Sequence, residues 1–141
     1  MALVVDASVA VKWLVVEEDS ANARGLLDDE ELHAPRLLVS EVANAVWRKV
    51  RLDQVDRGAA GQLVATMPDM PVRWHADETI CGDAIRLAIT HDRPVYDLMY
   101  LALAQRLGIR VVTADQRLVN ALAMTDHGDL VVPLTNRTGD G

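Results

Sequence analysis

Two short β-branched runs, Leu3-Val4-Val5 and Val111-Val112, constrain this chain more than any other feature of its sequence. Each is continuously apolar rather than alternating, the pattern of a strand buried on both faces. Each leads to an acid, Asp6 or Asp115, and then to a helical stretch. Shorter strands are expected at Leu32-His33-Ala34, Val72-Arg73-Trp74 and Leu130-Val131-Val132. Between them the pattern predicts helices: Val9 to Val15 behind a Ser8 N-cap, a stretch from Glu17 to about Asp28, Arg36 to Leu52, Arg57 to Met67, Asp77 to His91, and Asp97 to Leu107. Gly108 suits the left-handed residue that closes the last of these, and one more helix starts at Asp115. Strands alternating with helices predict an α/β fold, a central and mostly parallel β-sheet with helices on both faces.

A chain of 141 residues, half of them hydrophobic, matches one domain with a sizeable core. That domain is expected over 1–135, followed by a loose polar tail over 136–141. The apolar start, Met1 to Val11, is broken by Asp6 and lacks the basic leader and cleavage site of a signal peptide. No segment has the uninterrupted apolar length of a membrane span, so a cytoplasmic location and no membrane partner are expected. The single cysteine, Cys81, has no disulfide partner within the chain and no neighbouring His, and reads as a buried small apolar residue. Trp13, Trp47 and the five methionines read as core, and His33, His75, His91 and His127 as structural or surface residues without metal-ligand spacing.

Ligands of such sheets bind beyond the carboxyl ends of the strands, where strand order reverses. Asp6 and Asp115 belong at that edge, and Asp97 and Glu41 lie near the starts of helices in otherwise apolar sequence. Taken singly, Asp6, Asp97 and Asp115 are adequately explained as helix caps and Glu41 as a solvated helix residue. Together they can converge only at the carboxyl edge. Two carboxylates about 4 Å apart repel by about 4 kcal/mol at the effective dielectric of a protein surface. Such a cluster takes up protons or binds metal, and all-oxygen ligands favour Mg²⁺ or Mn²⁺ over zinc. Asn44 and Arg48 share a helix face with Glu41, while Ser8 and Thr113, each two residues from an acid, offer hydroxyls. A net charge of −7 excludes coating of nucleic acid by a general basic surface but is compatible with a nuclease whose acids surround metal.

These features coincide in four segments: Val4-Val5-Asp6-Ala7-Ser8-Val9-Ala10-Val11-Lys12-Trp13-Leu14, then Pro35 through Glu41-Val42-Ala43-Asn44-Ala45-Val46-Trp47-Arg48, then Val95-Tyr96-Asp97-Leu98-Met99-Tyr100-Leu101-Ala102-Leu103-Ala104, and Val111-Val112-Thr113-Ala114-Asp115-Gln116-Arg117-Leu118. In this order and at these separations the chain resembles the PIN-domain family, specifically the VapC-type toxins of prokaryotic toxin–antitoxin pairs. The resemblance runs nearly end to end. It implies that Asp6, Glu41, Asp97 and Asp115 form the family's acidic quartet, with Asn44 and Thr113 at its accessory polar positions. Arg117 stands where some relatives carry a further acid. The resemblance also implies Mg²⁺- or Mn²⁺-dependent endoribonuclease activity, a homodimer, and a VapB-type antitoxin whose C-terminal segment lies across the acidic groove. On this reading Asp6, Asp97 and Asp115 hold metal, Glu41 is a ligand or accepts the attacking water's proton, and Arg48 and Lys12 are candidate RNA contacts. The competing readings are another metal-dependent phosphoesterase and a non-catalytic module whose acidic groove captures a basic partner.

Overall fold

In the computed structural model, which describes residues 1–134, the run Ala2–Val5 forms β1, the middle strand of a five-stranded sheet. The other strands are β2 (Glu31–Pro35), β3 (Val72–His75), β4 (Arg110–Thr113) and β5 (Val131–Pro133), in the order β3-β2-β1-β4-β5 with every pairing parallel. Val4 stands in register with His33 on one side and Val111 on the other. Leu3, Val4, Val5, Val111, Val112 and Thr113 are all buried, so both faces of the central strands are covered. The expected α/β fold is the one observed. The polar tail expected over 136–141 lies outside the described residues.

The chain steps outward from β1 to β2 to β3, then returns across β1 to lay β4 on its other side. Strand order therefore reverses between β1 and β4, and a cleft opens at their carboxyl ends. Among the described residues seven helices dress the sheet: α1 (Ala7–Leu14), α2 (Ser20–Asp29), α3 (Leu37–Arg51), α4 (Ala60–Ala65), α5 (Cys81–His91), α6 (Val95–Leu107) and α7 (Gln116–Leu122). Helix α1 packs against both α2 and α3, and α5 packs along α6, which lies against β1, β2 and β4. Every residue of α6 from Leu98 to Ala104 is buried, as in a helix that is apolar all round. It closes at Gly108, whose φ of +68° a side chain would strain.

Several local expectations need correction. The cap of α1 is Asp6, whose carboxylate accepts from Val9 N–H, and not Ser8, which already lies within the helix. The helix expected over Arg57 to Met67 is reduced to Ala60–Ala65 and a separate 3₁₀ turn at Met67–Asp69; it has no capping side chain and a glycine, Gly61, in its first turn. Residues Asp77–Thr79 likewise form a 3₁₀ turn, and α5 begins only at Cys81. Cys81 is exposed rather than buried, because Ile80 and Ala84 take the inward face. Trp47 is half exposed with the Arg51 guanidinium 5.1 Å from its ring, whereas Trp13 is buried as expected and its indole N–H donates to the Ala23 carbonyl. Met67 and Met99 fill the core, but Met1 and Met124 are exposed. The histidines pair: His33 Nδ1 meets His75 Nε2 at 2.9 Å across β2 and β3, and His91 Nε2 meets His127 Nδ1 at 2.8 Å.

Candidate active site

Asp6 is the deepest of the acids. It leaves β1 at the point where the backbone turns into α1, is only 6% exposed, and is held by three donors. Thr113 Oγ1, from the end of β4, donates to Oδ2 at 2.5 Å, Ser8 Oγ donates to Oδ1 at 2.6 Å, and Val9 N–H reaches Oδ1 at 3.3 Å. Burial raises its pKa, the hydrogen bonds from Ser8, Thr113 and Val9 lower it, and the charge of Asp115 raises it again; the net result is about 6. Ser8 and Thr113 are thus hydroxyl supports of Asp6. They also reach the next strand end: Ser8 Oγ accepts from Ala114 N–H at 2.8 Å and Thr113 Oγ1 from Asp115 N–H at 3.0 Å.

The other acids come from separate elements. Asp115 caps α7, accepting from Arg117 N–H at 3.0 Å, with the Arg117 guanidinium 3.8 Å away. Asp97, in the first turn of α6, pairs with Arg93 at 3.3 Å and caps nothing; Pro94 occupies the capping position. Glu41 projects from α3 and accepts a hydrogen bond from the Tyr100 hydroxyl of α6, which ties the two helices together over the cleft. Burial raises the Glu41 pKa, the Tyr100 hydrogen bond and Arg48 lower it, and the Asp97 charge raises it, leaving it above its ordinary value. Tyr100 is pushed well above 10 by burial and by the Glu41 carboxylate, so it stays a donor.

All four acids line one cavity of about 490 Å³, and Glu41, Asn44, Arg48, Asp97, Asp115 and Arg117 also line its adjoining continuation. The convergence expected from sequence is therefore present at the level of the pocket. Among the described residues, no three acids, histidines or cysteines stand close enough to close around one ion in this arrangement. The reason is visible in the hydrogen bonds, since Glu41 turns to Tyr100, Asp97 to Arg93 and Asp115 to its own helix. The donor set nevertheless fits a hard dication: carboxylate oxygens with hydroxyl support, including two acids whose burial penalises their negative charge.

Tyr100 escaped the sequence reading because it sits in an apolar run, although its place three residues after Asp97 puts both on one helix face. Lys12 was expected at the cavity as an RNA contact, but its convergence with Lys49 was not. Lys12 of α1 and Lys49 of α3 line the cavity and both bind the Glu17 carboxylate, which belongs to the loop between α1 and α2.

The chain is similar to known proteins over most of its length. The PIN domain family matches residues 3–122. Ribonuclease VapC3 of Pyrobaculum aerophilum is 34% identical over 121 residues, spanning 84% of this chain and 92% of that protein. The crystal structure of PAE2754 from Pyrobaculum aerophilum superposes with a TM-score of 0.73 at 22% identity, covering 99% of this chain and 88% of that one. VapBC2 from Rickettsia felis, bound to a DNA fragment from its promoter, shares the fold at a TM-score of 0.62 and 8% identity, covering 94% and 98% of the two chains.

Proposed function

This chain belongs to the PIN-domain family, among the VapC ribonucleases, and from that premise we propose that its acidic pocket hydrolyses RNA phosphodiester bonds with Mg²⁺ or Mn²⁺, as the toxin of a type II toxin–antitoxin pair. We read residues 1–135 as its single domain. The observation that carries the proposal is the gathering of Asp6, Glu41, Asp97 and Asp115 from four different elements into one cavity at the point where strand order reverses.

Asp6, Asp97 and Asp115 are the residues that would hold the cation, which when bound supplies Lewis acidity at the scissile phosphate and acidifies the attacking water. Thr113 and Ser8 keep the Asp6 carboxylate oriented and help it to ionise despite its burial. Glu41, with its raised pKa, is placed as a further ligand or to accept the proton of the attacking water, and Tyr100 fixes its orientation. Asn44 lines the adjoining part of the cavity beside Glu41. Arg48 and Lys12 supply positive charge at the cavity wall for flanking phosphates.

The test is cleavage of a panel of structured RNAs with Mg²⁺, Mn²⁺ or EDTA, beside Asp97→Asn and Glu41→Gln variants of confirmed fold. Metal-dependent cutting that disappears in the first and falls at least about tenfold in the second is expected. Cutting that persists in EDTA or in Asp97→Asn would place the activity elsewhere. A VapB-type antitoxin and a homodimer complete the reading. The net charge of −7 favours a basic partner segment, and the exposed Ile85, Ile89 and Tyr96 provide apolar surface for a second copy. Light scattering should give twice the chain mass for the purified protein and a larger complex with its co-expressed antitoxin; a monomer throughout would remove both partners.

A further inference from the structure

The cavity that the four carboxylates line is also lined by Lys12, Lys49 and Arg48, with one further acid, Glu17. Lysine side chains are mostly exposed in proteins, yet those of Lys12 and Lys49 are only 12% and 17% exposed here. Both ammonium groups converge on Glu17: Lys12 Nζ donates to Oε1 at 3.3 Å, and Lys49 Nζ donates to Oε2. Lys12 is held further by the Glu18 carbonyl at 2.8 Å, and the loop carrying Glu17 is pinned by its own N–H, which donates to Ser20 Oγ at 2.9 Å. Burial raises the Glu17 pKa, but the Lys49 hydrogen bond and the charges of both lysines outweigh that and bring it below the ordinary value, so the carboxylate is ionised. Two ammonium groups against one carboxylate leave one positive charge in excess.

A carboxylate bridged by two lysines inside a nucleic-acid pocket occupies a place built for an oxyanion. Lysine binds phosphate as a point charge, without the fork geometry that would tie it to a carboxylate. We infer that Glu17 is an internal stand-in for a substrate phosphate: between Lys12 and Lys49 it fills the subsite that a backbone phosphate next to the scissile one takes when RNA binds. This rests on the ribonuclease reading and adds a regulatory element to it. RNA must displace the Glu17 carboxylate to engage both lysines, so Glu17 lowers the affinity of the pocket for a strand whose phosphate takes this subsite. A strand seated there has the neighbouring phosphate at the lysines and its scissile phosphate at the acids.

The test is binding of a fluorescein-labelled single-stranded RNA, read by anisotropy in EDTA over a series of salt concentrations, for the full chain and its variants. Glu17→Gln should bind about three- to tenfold more tightly, since it frees both lysines from a fixed counter-charge. Lys12→Met and Lys49→Met should each weaken binding and reduce the slope of log affinity against log salt by about 0.7, the share of one phosphate contact on a single strand. Lys12→Arg and Lys49→Arg, which keep the charge, should restore the slope, and thermal unfolding checks that each variant is folded. If the parent binds and cuts RNA but Glu17→Gln binds no more tightly, the stand-in is wrong and the ribonuclease reading survives. If the parent neither binds RNA at any salt concentration nor cuts it with Mg²⁺ or Mn²⁺, both fall.

Discussion

Asp6→Asn should abolish RNA cleavage, by a factor of at least about a thousand, and at the same time make the metal-free chain more stable. A thousandfold loss corresponds to about 4 kcal/mol of transition-state stabilisation, the scale expected when a carboxylate that holds the cation becomes a neutral amide. The gain in stability follows from the burial of the same group. Its pKa in the folded chain, about 6, lies above the ordinary 3.8. The folded state therefore binds that proton more tightly than the unfolded state. The stability this confers is fully present below about pH 4 and is lost as pH rises through about 6, a difference of about 3 kcal/mol by pH 8. Asparagine carries no charge; its amide oxygen can take the place of Oδ1 and accept from Ser8 and Val9, and its amide NH2 can then donate to Thr113 Oγ1. Chemical unfolding in EDTA should show the variant gaining on the parent between pH 5 and pH 8. Divalent cations should stabilise the parent alone. A variant equally destabilised at both pH values would show that Asp6 serves the fold as a cap more than it burdens it with charge.

Thr113→Val should cost about ten- to a hundredfold in activity near neutral pH without any change in the acids themselves. Thr113 is fully buried, and its hydroxyl both donates to Asp6 and accepts from Asp115 N–H. Valine keeps the shape and removes both bonds. Asp6 then loses one of the hydrogen bonds that hold its pKa down, so the acid limb of the pH–rate profile should move to higher pH. The profile of kcat/KM is the measurement. A loss that recovers in part above pH 8 supports control of Asp6 ionisation, whereas an equal loss at every pH would show that Thr113 only shapes the backbone.

The central strands, Asp6 and Asp115 were legible because burial on both faces leaves an unbroken apolar run and an acid just past such a run is conspicuous, whereas Asp97 and Glu41 stood out only as acids near helix starts in otherwise apolar sequence. Asp6 carried two readings, helix cap and site residue, and the structure supports the first directly; the two do not compete, since Oδ1 and Oδ2 serve different partners. Other features depended on distance in space that spacing cannot convey. Glu17 and Lys49 are 32 residues apart, and Tyr100 meets Glu41 across 59. The His33–His75 pair follows from the register of β2 on β3, which sets Pro35 opposite His75. Periodicity located the apolar stripes of α3 and α5 but not their margins, and Trp47 and Cys81 fall beyond those margins.

The bond between Thr113 and Asp6 joins residues 107 apart, since β4 enters the sheet beside the first strand made. During synthesis, at roughly 5–20 residues per second, the ribosome completes Asp6, Glu41 and their helices well before it makes the strand that closes the pocket. Long-range closure of this kind comes late because the chain must lose its freedom before the contact is won. A chain that stops short of Thr113 lacks both the hydroxyl that steadies Asp6 and the last acid of the quartet. On the proposed function the unfinished product is expected to be inactive, so that activity appears only once nearly the whole chain has been made.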